Sequence, residues 1–180
     1  MDFREITEFI KDFMGYIIFI LVLIIIFTFV IGFNPIAGNS MVPSLEEGEV
    51  LLVSKFHPNL IDVKREDIVI IKKGHKSYIK RVIGLPDENV YVKDNELYIN
   101  DKVYNEPYLE DDILNEDFSF TDICSIDKCP DNKIPKDMYL VLGDNRENSE
   151  DSRDFGLISK EEIKGVGIFK IWPLNRFGKI

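Results

Sequence analysis

Along the chain, a single continuous apolar run gives way to a long series of short alternating ones. Gly15 to Phe33 (GYIIFILVLIIIFTFVIGF) carries no charge, and its only polar side chains are Tyr16 and Thr28. As a helix rising ~1.5 Å per residue it would be ~28 Å long, close to the ~30 Å hydrocarbon core of a bilayer. The run exceeds the apolar stretch of a cleaved secretory signal, and the following Asn34-Pro35-Ile36-Ala37-Gly38 is a poor cleavage pattern. It therefore reads as a retained transmembrane helix over 15–33, with 1–14 on the cytoplasmic side and 34–180 as an extracytoplasmic body. Arg4 and Lys11 precede the run, whereas Asn34 to Ser54 contains no Lys or Arg, which favours a cytoplasmic N-terminus.

Beyond the run, Glu49–Lys55, Asp67–Lys72, Ser77–Ile83, Asn89–Lys93, Glu96–Asn100, Met138–Leu142 and Gly165–Trp172 are rich in β-branched and aromatic residues and bounded by turn formers. This predicts a mostly β domain. Asp94-Asn95 is a two-residue hairpin turn candidate. Ser159-Lys160-Glu161-Glu162 has the spacing of a capping box opening a short helix. Residues 105–136 break the pattern: they are acidic, weakly periodic and hold both cysteines, so they read as a small inserted cap or loop with its acids in solvent.

The net charge of −10 excludes a nucleic-acid partner that works by neutralising phosphates, and offers no polybasic attachment to lipid. Membrane contact must come from the anchor and from apolar surface. Cys124 and Cys129, in CSIDKC, fit a short disulfide loop if the body is exported, or two reduced thiols otherwise. No metal ligand set is apparent, because His57 and His75 lack ligand spacing from the cysteines. No cofactor is implied.

Three polar clusters carry the candidate chemistry. They are Gly38–Ser44 (GNSMVPS) directly after the apolar run, Tyr78–Gly84 (YIKRVIG), and Gly143–Arg153 (GDNRENSEDSR). A serine hydroxyl needs a neighbouring base to attack a carbonyl. His57 and His75 both read as exposed loop residues. Lysine can serve if burial lowers its pKa from ~10.4 toward ~7–8. In IKRVI the side chains alternate, so Lys80 shares a face with Val82 and Arg81 with Ile79 and Ile83. One of the two cations must sit on an apolar face.

Four boxes, Ser40-Met41-Val42-Pro43-Ser44-Leu45, Gly48–Val53, Lys80–Pro86 and Gly143-Asp144-Asn145-Arg146…Ser149…Asp151-Ser152-Arg153…Gly156, resemble in order those of bacterial type I signal peptidases. The resemblance implies an antiparallel β-sheet catalytic domain behind one N-terminal transmembrane helix. It implies Ser40 as nucleophile, Lys80 as general base and Ser149 as the hydroxyl orienting the lysine amine. Asp144, Arg81, Asp151 and Arg153 would form the charge network holding the 143–156 loop. Met41 would wall a small substrate pocket. The implied substrates are secretory preproteins with Ala-x-Ala-like cleavage sites, met at the cell membrane near the Sec translocase. Asp87-Glu88 departs from a Gly-Asp pair common in the family, and Gly38 stands where some members have a serine that serves the oxyanion hole. A self-cleaving Ser–Lys repressor would carry a basic DNA-binding module instead of the anchor. An inert envelope-binding β-domain would have no reason to keep Ser40, Lys80 and Ser149 together.

Overall fold

The computed structural model describes residues 3–55, 62–110 and 113–180. Helix α1 (Phe3–Ile25) is followed by a π-helical turn (Ile26–Val30), so helical geometry covers the apolar stretch Ile10–Val30, 21 residues with none of its window buried. The helix starts inside the charged N-terminal segment and stops short of the predicted end at Phe33. Ile31–Pro35 instead forms strand β1, because its backbone pairs along β2 (Val50–Ser54), with Ile31 opposite Ser54 and Pro35 opposite Val50. Long-range pairing overrides local apolar continuity here, a contest that hydropathy alone does not register.

The remaining strands are β3 (Ile68–Lys73), β4 (Lys76–Gly84), β5 (Val90–Lys93), β6 (Glu96–Ile99), β7 (Lys102–Val103), β8 (Met138–Leu142), β9 (Ile158–Ser159), β10 (Ile163–Trp172) and β11 (Gly178–Lys179). Two four-residue helices, α2 (Phe120–Ile123) and α3 (Ser152–Phe155), lie between them. The main antiparallel sheet has the order β1-β2-β10-β3-β4-β8-β9, with β11 on β10, and β5-β6-β7 form a second small sheet. All seven predicted runs are strands. The two-residue β7, β9 and β11 carry too little pattern to be read, and β1 begins inside the continuous apolar run. Asp94 and Asn95 both take positive φ, 52° and 69°, as a tight hairpin turn requires. The Ser159 box opens only a 3₁₀ turn, Lys160–Glu162.

Residues 105–136 are more built-in than their acidity suggested. Val92 and Phe118 exchange backbone hydrogen bonds, and Phe118, Phe120, Cys124, Cys129 and Ile134 join Val90, Leu97 and Leu140 in one buried cluster. Cys124 and Cys129 are disulfide-bonded. The ring is small, so replacing both cysteines by Ser should cost about 2 kcal/mol. Chemical unfolding of oxidised wild type against the double variant checks this. Little change would mean that the α2 loop is held by packing alone.

Candidate active site

β4 carries the basic pair into the middle of the main sheet, between β3 and β8. One of the two cations was expected on an apolar face; in fact both are buried, Lys80 2% and Arg81 5% exposed. Successive residues point to opposite faces, and here both faces are covered, so neither side chain has a solvent side. Lys80 reaches the turn after β1, where its Nζ donates to Ser40 Oγ at 2.7 Å. Burial pushes the Lys80 pKa down to about 8, against the pull of Asp151, Glu150 and Asp144, while Arg153 adds to the lowering. At that value about a tenth of the amine is neutral at pH 7, far more than for a free lysine near ~10.4.

Arg81 lies on the other face and is fully engaged. Its Nε and Nη2 donate to Asp144 Oδ1 and Oδ2 at 2.9 and 2.6 Å, and its Nη1 donates to Glu66 O at 3.0 Å. Nη2 also meets Ser44 Oγ at 3.0 Å, and the Tyr108 ring lies 4.0 Å from the guanidinium carbon. Asp151 caps α3 and ties three parts of the loop together. It accepts from Gly143 N–H at 3.0 Å and from Arg153 Nε and Nη2 at 2.9 and 2.8 Å. Burial alone would raise the Asp151 pKa, but Arg153 and the Gly143 N–H outweigh it and hold the carboxyl below its ordinary range. Gly143 is required by space, since a Cβ there would run into Ser149 and the Ser40 carbonyl.

Ser149 does not make the bond expected of it. Its hydroxyl is buried beside Gly143, approaches Asp151 without hydrogen-bond alignment, and has no hydrogen-bond partner among the described residues. Met41, 2% exposed, packs with Ile36, Leu45 and Ile70 and also lines a cleft of about 280 Å³. Ser40 and Lys80 open into that cleft beside Gly38, Ile70 and Ile79. His75 is exposed on the β3–β4 hairpin, and His57 lies outside the described residues.

The structure adds residues that sequence reasoning left unassigned. Asn145 grips the serine turn twice, its N–H to Ser40 O at 3.1 Å and its Nδ2 to Asn39 O at 3.1 Å. Arg146 is buried, donates its Nε to Gly143 O at 3.0 Å and forms an ion pair with Glu106. Glu106 was expected in solvent with the other acids of 105–136, but its side chain is only 7% exposed because Arg146 neutralises it. Ser152 Oγ accepts from Val141 N–H at 2.9 Å. Only the density of polar residues in GDNRENSEDSR hinted at such roles, and density does not say which of them turn inward.

Comparison with known proteins follows the same lines. The chain matches the family model described as signal peptidase, peptidase S26, over residues 6–172. It is 36% identical over 163 residues to signal peptidase IB of Staphylococcus aureus strain Mu50, covering 87% of this chain and 85% of that one. Signal peptidase I P of Bacillus subtilis subsp. natto is 40% identical over 146 residues, with 78% and 77% covered. The crystal structure of a signal peptidase I from Enterococcus faecalis V583 superposes with a TM-score of 0.50 at 32% identity, covering 58% of this chain and 96% of that one.

Proposed function

Because the chain belongs to the signal peptidase family, peptidase S26, whose members are hydrolases that remove signal peptides, we propose that it cleaves exported preproteins with Ser40 as nucleophile and Lys80 as general base. The observation that carries this reading is a buried amine 2.7 Å from a serine hydroxyl at the mouth of a cleft. Neutral Lys80 takes the Ser40 proton as Oγ attacks the scissile carbonyl. The resulting ammonium protonates the leaving amine, and Lys80 then activates the water that releases the acyl group. Asn145 Nδ2 holds the Asn39 carbonyl, whose peptide plane carries the Ser40 N–H, and so keeps that N–H turned to receive the oxyanion. Gly38 brings no hydroxyl to that task. Met41 walls the pocket, consistent with small Ala-x-Ala-like residues before the cut.

The apolar helix suggests a membrane anchor, and the charge bias favours an N-terminus in the cytoplasm with the body outside. Phe33, Leu52 and Phe169 stand opposite one another across β1, β2 and β10 and so share one outer face of the sheet. Trp172, Leu174 and Phe177 nearby are 55%, 74% and 61% exposed. An apolar face adjoining the anchor suits contact with lipid. There the enzyme would meet preproteins as they leave the Sec translocase, both confined to one surface.

A pH–rate profile tests the base. With the Lys80 pKa at about 8, kcat/KM should rise about tenfold per pH unit below that value and level off above it. A profile already flat from ~pH 5 upward would point to a carboxylate and sink the lysine assignment.

A further inference from the structure

We infer that Lys170 and Arg176, braced by the buried carboxylate of Glu49, are positioning residues for the turn that carries Ser40; this rests on Ser40 being the nucleophile. The turn leaves β1 and is held upstream by Asn145. Downstream, two of its carbonyls are taken by side chains from the far end of the chain. Lys170 Nζ donates to Ser44 O at 3.0 Å, and Arg176 Nη2 donates to Pro43 O at 3.3 Å. Within the turn, Val42 N–H returns to Asn39 O at 3.3 Å and Leu45 N–H to Met41 O at 2.8 Å, so a tilt at Pro43–Ser44 is transmitted to Ser40.

Long cationic side chains hold a carbonyl in place only if their own charge is fixed. Glu49, 3% exposed, supplies that. Its Oε2 lies 3.5 Å from Lys170 Nζ and accepts Glu46 N–H at 3.0 Å. Its Oε1 lies 3.0 Å from Arg176 Nε as an ion pair but has no aligned hydrogen bond. Arg176 also pairs with Glu46. Two cations thus compensate one buried carboxylate, and each has a donor left for a carbonyl of the turn. Met41 and Leu45, 2% and 0% exposed, already fix the turn to the core. What the clamp adds is therefore the orientation of the peptide planes, not the attachment of the segment.

The test uses the full-length protein in detergent with a purified preprotein. Arg176→Gln is expected to lower kcat about tenfold or more while leaving KM within about twofold, the signature of a misplaced reacting group. Arg176→Lys should recover part of the loss, and Lys164→Gln, an exposed cation on β10, the strand of Lys170, should lose nothing. Full kcat in Arg176→Gln, a loss confined to KM, or a loss that Arg176→Lys does not relieve would overturn the inference. If Arg176→Gln does not fold, Lys170→Gln decides by the same criteria. A catalytically active Ser40→Ala would defeat the underlying nucleophile assignment. An inactive Ser40→Ala beside a fully active Arg176→Gln would defeat the clamp alone.

Discussion

Ser40→Ala and Lys80→Met are each expected to lower preprotein cleavage by at least about 10³-fold, and the lysine variant to do so while making the fold more stable. On the proposed mechanism, no acyl-enzyme forms without Oγ. Without Nζ the hydroxyl has no base, because no histidine among the described residues reaches Ser40. The stability gain follows from the charge. A lysine whose pKa falls from 10.5 to about 8 on folding binds a proton more weakly in the folded state than in the unfolded one. Below about pH 8 both states are protonated, and the folded state bears the full penalty, roughly 3 kcal/mol. As pH rises from about 8 toward 10.5 the folded state has shed the proton, the unfolded state has not, and stability climbs. Methionine fills similar volume without charge, so Lys80→Met should gain roughly 1–3 kcal/mol at pH 7, and its stability should lose that rise with pH. Urea unfolding of wild type and variant at pH 7 and pH 10 measures both effects. A destabilised Lys80→Met with an unchanged pH slope would show that the amine is not held in an apolar site.

The largest loss of stability is expected at the Arg81–Asp144 pair. Asp144 is 0% exposed and Arg81 5%, so Asp144→Ala strands a guanidinium away from water and should cost about 3–5 kcal/mol. For a chain of this size that is a fall in unfolding midpoint on the order of 10 °C. Asp144→Asn keeps an acceptor for Arg81 and should cost less. Activity should fall further than stability explains, because Asp144 begins the loop whose next residue, Asn145, holds the carbonyls of Asn39 and Ser40. Thermal melts set beside kcat/KM at a temperature where both variants stay folded separate the two effects. Equal stability for Asp144→Ala and wild type would mean that Arg81 is satisfied by Glu66, Ser44 and Tyr108 alone.

Local pattern carried the architecture of this chain a long way. The short apolar run Met138–Leu142 between turn residues, the turn pair Asp94-Asn95 and the uncharged run after Gly15 each contain their own evidence, since a buried strand, a hairpin and a long apolar helix are selected by local composition and run length. The four boxes, taken in order, singled out Ser40, Lys80 and the polar loop. Burial of charge was not legible in the same way. Nothing within YIKRVIG says that both faces of β4 are covered, and the structure has both cations buried because β3 and β8 flank the strand and packed clusters lie over each side.

The sequence by itself determined which segments alternate, which one can cross a membrane, and which side chains have the chemistry for acyl transfer. Tertiary structure alone decided that the apolar run ends as strand β1, that Glu106 is buried against Arg146, that Lys80 bonds Ser40 and not Ser149, and that residues 170–176 reach back to the serine turn. The physical reason is distance along the chain. Lys170 and Ser44 are 126 residues apart in sequence and 3.0 Å apart in space. Such contacts depend on sheet order and register, which no local window of residues encodes.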